Sequence, residues 1–277
     1  MSLAARQLAG VIRLELKKTF FTRRGWWVYF LALGPLGLNL IHTLGSLRRA
    51  LFHGVTQDSF LFAGEFQTYF LHLGMFFGCV GIFANLFRGE MLEKTMHYYF
   101  LTPVRRELLV LGKYISGAAV AVVLFTTSAV LSFYLVGYHQ GAAWSDFVLH
   151  GPGLRQMALY AVTAILACLG YGAVFLTAGL LFRNPMIAAA VVWVWENLNP
   201  FLPTFLKKIS IIFYLKSLLP VQLPVPPGRG GNLFELLMTE ADPTPAALAA
   251  TGLVVVTALI LTYAAISARR AEISYGE

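Results

Sequence analysis

The sequence predicts an all-α membrane protein with six transmembrane helices, and three observations carry that prediction. Of the 277 residues 58% are hydrophobic and only 12% charged, with mean hydropathy +0.69, whereas an ordinary soluble domain is about 25% charged. Six stretches are long enough to cross a hydrocarbon core of about 30 Å, which takes about 20 apolar residues. The net charge of +8 is spread beside those stretches instead of forming one basic tract, as membrane topology requires and a nucleic-acid surface does not.

Residues 1–25 are expected to form an interfacial amphipathic helix. At 100° per residue, Arg6, Arg13, Lys17 and Arg24 fall within about 40° of one another. Leu8, Val11, Ile12 and Leu16 gather on another side, with Glu15 and Lys18 blurring that apolar face. The cations of such a helix face anionic headgroups; a solvated basic tail is the simpler alternative. It does not read as a cleavable signal, because the apolar run starts late and no small-residue cleavage site follows. Trp26 and Trp27 mark the interface where the first span, 26–44, begins.

The second span is placed at 66–87. Its Gly74 and Gly78 have GxxxG spacing, expected to serve internal helix packing. Cys79 here and Cys168 in the fourth span are expected to be small core residues, since two cysteines so spaced make neither a disulfide framework nor a metal site. The third span, 108–137, carries Lys113 near its start, where a lysine can snorkel to the headgroups. The fourth is 157–182 and the fifth 185–205. Glu196 lies about 16 Å along the fifth span, a depth at which a carboxyl is costly unless protonated or paired. It heads a polar notch with Asn197 and Asn199, before Pro200 and Pro203 weaken the helix. Two roles stay open for it: lining a pathway or gate, or capping the broken helix and bonding Lys207 or Lys208.

Ile209 to Leu219 is apolar but spans only about 16 Å as a helix, so residues 206–219 are read as an outer re-entrant or interfacial helix. A Pro/Gly-rich linker, PVQLPVPPGRGG, follows. The sixth span is 246–268, with a cytoplasmic tail at 269–277. With both termini cytoplasmic, thirteen lysines and arginines fall inside and seven outside, in accord with the positive-inside rule.

No HExxH, GxSxG or clustered Cys/His pattern is present, so neither metal nor nucleophilic chemistry is expected. Gly112-Lys113-Tyr114 has the GK of a P-loop, but Glu107 stands where the first glycine belongs and Tyr114 where Ser or Thr would hold magnesium. A secondary transporter or channel would show more ionisable groups within the membrane than Glu196 alone. A membrane enzyme would need a constellation of catalytic groups, and none is visible.

Between the second and third spans lies FRGEMLEKTMHYYFLTPVRRELLVLGKY. Glu90 precedes Lys94 by four residues, the favourable order for a helix-surface pair. Thr102 and Pro103 suit the N-cap and first position of the next helix. A short cytoplasmic helix at about 89–101 is expected, suited to transmit force from a soluble partner; an ordinary capped loop fits the same pattern.

The run Gly89-Glu90, Glu93-Lys94-Thr95, Leu101, Thr102-Pro103-Val104-Arg105-Arg106 and Gly112-Lys113-Tyr114 resembles the coupling region of ABC-2-type transporter permeases. It departs from many members in Lys94-Thr95, where they have Gly-Thr, and in Tyr98-Tyr99, where they have aliphatics. The resemblance implies a half-transporter in a bacterial or archaeal cytoplasmic membrane, paired with a second copy or a paralogous permease. Two separate ATPase subunits, carrying the ATP and magnesium, would dock on Gly89, Glu90, Glu93, Lys94, Thr95, Pro103, Arg105 and Arg106. The N-terminal helix then looks like the family's connecting helix, and 206–219 like its outer re-entrant helix. This chain itself would be no enzyme, and a compound of unspecified identity would be exported.

Overall fold

A computed structural model describes residues 3–20, 25–49, 54–93, 104–223 and 244–270. Among these residues the protein is all-helical, with no strand. Among the described residues five helices are long and apolar enough to cross a membrane, and the chain is a membrane-embedded protein.

Helix α1 (Leu3–Phe20) has the expected two faces: Val11 is buried, while Arg6, Arg13 and Lys17 are exposed. Helix α2 (Trp26–Arg49) contains Pro35, which has no N–H to give the Leu31 carbonyl one turn earlier. The Tyr69 hydroxyl of the next helix donates to that carbonyl instead, at 3.1 Å.

Helix α3 (Val55–Met91) is a 37-residue rod with π-helical stretches at Phe66–Met75 and Val80–Ala84. It begins eleven residues before the predicted second span. The added turns carry Asp58 and Glu65, and both have partners in the bundle: Glu65 accepts from Asn39 Nδ2 at 2.8 Å, and Asp58 accepts from Gln140 at 2.9 Å.

Helix α4 (Arg106–Val136) matches the third predicted span. It leads through a 3-10 turn, Tyr138–Gln140, into a short helix, α5 (Ala142–Leu149). The left-handed backbone of Gly141, φ 60°, makes that corner. Buried Trp144 of α5 seats against Gly137 and Phe133, closing the end of the bundle. Helix α6 (Gly153–Leu181) is the fourth span.

Helix α7 (Pro185–Leu198) corrects the fifth predicted span, 185–205. It opens with Asn184 capping Met186 N and Pro185 in the first turn, but has only 14 residues, about 21 Å of rise against the 30 Å of a hydrocarbon core. A 3-10 turn at Asn199–Phe201, an extended Leu202 and a helical turn at Thr204–Lys207 follow. Pro200 and Pro203 cause the break: each lacks an N–H, and Pro203 drives the residue before it out of the helical region. Helix α8 (Ile211–Ser217) is shorter than the predicted outer helix, and α9 (Ala246–Arg270) matches the sixth span.

The centre is α3 against α4 and α6. In both α3 and α6, 78% of the most apolar window is buried, against 28% in α2 and 17% in α9. Lipid tails are as apolar as these side chains, so close packing rather than water exclusion holds such helices together. Small residues supply that closeness. Phe83 lies between Gly117 and Gly172, where an added Cβ would come within 2.8 and 2.5 Å of its ring. Across α3 and α6, a Cβ on Gly179 would meet the Ala84 carbonyl at 2.6 Å. The Gly74/Gly78 pair is internal as expected, with Gly78 against Phe125 of α4. Cys79 and Cys168 are free thiols buried in this core.

Candidate functional site

Where α1, the end of α3 and the start of α4 meet, four charged side chains form one network. Lys113 Nζ donates to Glu15 Oε1 at 2.6 Å and to the Leu86 carbonyl at 2.9 Å. Its third contact is Glu90 Oε1 at 2.8 Å, and Lys18 reaches the same oxygen at 3.1 Å. The Lys113 side chain is 0% exposed and those of Glu15 and Glu90 are 1% and 2%. Phe87 lies under the ammonium, 5.4 Å away. Among the described residues two carboxylates face two ammonium groups, the buried Lys113 and the partly exposed Lys18, so the buried charges are paired.

Local sequence explains why these groups meet. Gly112 lacks the side chain that would collide with α1; a Cβ there would come within 2.6 Å of Val11. Helix α1 therefore settles directly on α4, bringing Glu15, one turn after Val11, onto Lys113. The Gly112-Lys113 pair thus serves helix packing and charge pairing in mid-helix, with no phosphate-binding loop around it.

Two sequence expectations change here. Lys113 does not snorkel to the surface; it is the hub of a sealed network. Glu15, which blurred the apolar face of α1, is the acidic anchor of that face.

The residues singled out in the segment 89–106 do not share one environment. Glu90 points into the fold, where its partners include Lys113 and Lys18. Gly89 and exposed Glu93 line an open cleft that also touches Glu15, Lys18, Tyr29 and Asn85. Arg105 is exposed and extended at the N-cap of α4. Arg106 donates to the Arg269 carbonyl at 3.1 Å, and Glu107 pairs with the Arg269 guanidinium, tying the start of α4 to the end of α9. Helix α3 stops at Met91; Lys94, Thr95 and Pro103, with most of the predicted 89–101 helix, lie outside the described residues.

A second polar site lies at the end of α7. Glu196 is 3% exposed, and its carboxylate accepts from Ser210 Oγ at 2.6 Å, Ile212 N at 2.8 Å and Ile211 N at 3.0 Å. It closes the first turn of α8, satisfying backbone donors that a helix start leaves orphaned. Asn199 donates to the Lys207 carbonyl at 3.2 Å, and half-buried Asn197 bonds back to Trp193 within its own helix. Of the two roles left open for Glu196, the structural one is nearer, but the carboxylate caps α8 rather than its own broken helix and is bonded to Ser210, Ile211 and Ile212. Burial pushes the Lys216 ammonium of α8 below the ordinary lysine range, with the attraction of Glu196 opposing and the repulsion of Lys207 assisting.

A third cluster was invisible to motif reading. His42 of α2, Asp58 of α3 and His139 of the turn after α4 converge at the opposite end of the bundle, each offering a ligand atom within 4.8 Å of the others. They sit 97 positions apart from first to last, so no spacing rule finds them; only a polar residue in an apolar run, His42 or Asp58, hinted at it.

No protein-family model matches the chain, and no curated protein sequence matches it.

Proposed function

We propose that this chain is the membrane-spanning permease subunit of an ABC-2-type transporter, working as a pair of permeases driven by two separate ATPase subunits. The resemblance of residues 89–114 supplies the family. The observation that carries the reading is the sealed Glu15–Lys113–Glu90 network immediately beside that segment.

A force-transmitting segment must be joined stiffly to the helices it moves. Buried ion pairs do this well, because separating them in a low-dielectric interior leaves uncompensated charge at several kcal/mol. A push on the segment after Glu90 is therefore passed to α1 through Glu15 and to α4 through Lys113. Arg106 and Glu107 extend the linkage to α9. On this reading Glu93 and Arg105 face the ATPase, and Glu90 holds the segment from behind.

The exposed apolar faces support the rest. Much of α2 and α9 is open, including Phe30 at 75% and Leu259 at 65%, surface that lipid and a second permease would cover. Helix α1, with Arg6, Arg13 and Lys17 outward, lies at the cytoplasmic interface, both termini being cytoplasmic, and the pump works in the export direction.

The test is co-expression with a candidate ABC ATPase, ideally one encoded beside this gene. A complex should purify whose ATP hydrolysis depends on the permease. Glu93→Ala with Arg105→Ala should lower the hydrolysis or the copurified ATPase while the permease stays folded. A permease that recruits no ATPase, or whose double variant behaves like the wild type, removes the reading.

A further inference from the structure

We propose that His42, Asp58 and His139 form a binding site for one divalent transition-metal ion of the Zn²⁺ class. The site lies far from the charge network: α4 carries Lys113 near its start and His139 just past its end, about 40 Å apart along the helix.

The distances from the two histidines to Asp58 suit a shared ion better than direct hydrogen bonds, His139 Nε2 also lying 3.4 Å from Gln140 Nε2. His139 Nε2 is 3.5 Å from Asp58 Oδ2, and His42 Nε2 is 3.9 Å from Asp58 Oδ1. Both separations are too long for good N–H···O bonds, which lie near 2.9 Å. They approach the spacing of neighbouring ligands on a tetrahedral ion, about 3.4 Å for metal–ligand bonds of 2.0–2.2 Å. The two imidazole rings stand edge to face with centroids 5.4 Å apart, as two ligands of one ion can.

The electrostatics of the pocket point the same way. Asp58 and His139 have fully buried side chains, and Asp58 Oδ1 and His139 Nδ1 have no hydrogen-bond partner among the described residues. A buried carboxylate oxygen left so is costly. A divalent cation removes that cost and uses the imidazoles in their neutral form.

Supporting groups are in place. Gln140 Nε2 donates to Asp58 Oδ2 at 2.9 Å, an outer contact that orients the carboxylate. The His42 side chain is 24% exposed, so the cluster opens to the surface on one side, leaving a route for the ion and a fourth position for water. Two imidazoles and one carboxylate select Zn²⁺ or its transition-metal neighbours over Mg²⁺ and Ca²⁺, which prefer all-oxygen sites. An ion held there clamps α2 to the start of α3 and the end of α4.

The inference is independent of the transporter reading and is tested without it. Full-length protein in detergent, stripped with chelator, is titrated with Zn²⁺, and separately with Co²⁺, whose visible absorption reports coordination by nitrogen and oxygen. One ion per chain is expected, with Zn²⁺ bound far more tightly than Mg²⁺. His42→Ala, Asp58→Asn and His139→Ala should each weaken Zn²⁺ binding by at least about 100-fold, since even outer contacts are worth 10–100-fold. His150→Ala, at an exposed histidine outside the cluster, should leave binding unchanged. Wild-type protein without saturable micromolar Zn²⁺ binding overturns the site whatever the variants do, and so does undiminished affinity in Asp58→Asn.

Discussion

Lys113 Nζ lies 2.6 Å from Glu15 Oε1, across 98 positions of sequence, and neither side chain reaches solvent. Removing one member of a buried pair strands the other, at about 3–5 kcal/mol, whereas replacing the whole set by neutral groups is often far milder. Lys113→Met is therefore expected to lower the unfolding midpoint in detergent more than the triple variant Glu15→Gln, Lys113→Met, Glu90→Gln. A triple variant less stable than the single one would show that stranded charge is not what the single variant suffers from.

Glu90 and Glu93 are three residues apart but differ in burial, 1% for Glu90 against an exposed Glu93. Glu90→Gln is expected to destabilise the isolated permease through Lys113 and Lys18. Glu93→Gln should lower its melting less and weaken association with an ATPase subunit more. Melting curves of the two variants, set beside their recovery of ATPase on purification, separate the roles; equal melting effects would contradict the assignment.

Glu196→Gln keeps the shape of the cap but removes its charge, and each hydrogen bond to a charged group contributes about 1.5–3 kcal/mol. The expected outcome is local: faster amide exchange at Ile211 and Ile212 and easier proteolysis near α8. Exchange in α3 and α6 should stay as in the wild type. Unchanged protection at the two amides would show that the carboxylate does not hold α8.

Lys216 has a folded-state pKa below its unfolded value because of burial. Its charged form is thus penalised on folding at neutral pH, and the penalty is released as pH rises through the folded pKa toward the unfolded one. Lys216→Met is expected to raise the unfolding midpoint at pH near 7, with the advantage shrinking as pH approaches about 10. Paired melts at the two pH values check this; an advantage that grew with pH would reverse the sign of the argument.

Much of this protein was written in local sequence. Apolar runs marked α2, α4, α6 and α9 to within a few residues, because lipid imposes length and helicity on each segment alone. The two faces of α1 followed from helical periodicity, and the prolines after Asn199 warned that the fifth segment would break. What the tertiary structure decided were the exceptions, all polar. Asp58 and Glu65 lie in helix ahead of the second apolar run, where groups elsewhere in the bundle, Gln140 and Asn39, donate to them. Lys113 read as a residue bound for the headgroups until Gly112 let α1 deliver Glu15 to it. His42 and His139 had no meaning apart from Asp58. A polar group in a membrane helix is costly or harmless according to what faces it, and what faces it comes from elsewhere in the chain. Hydrophobic length is a property of one segment, while compensation of buried charge belongs to the assembled bundle.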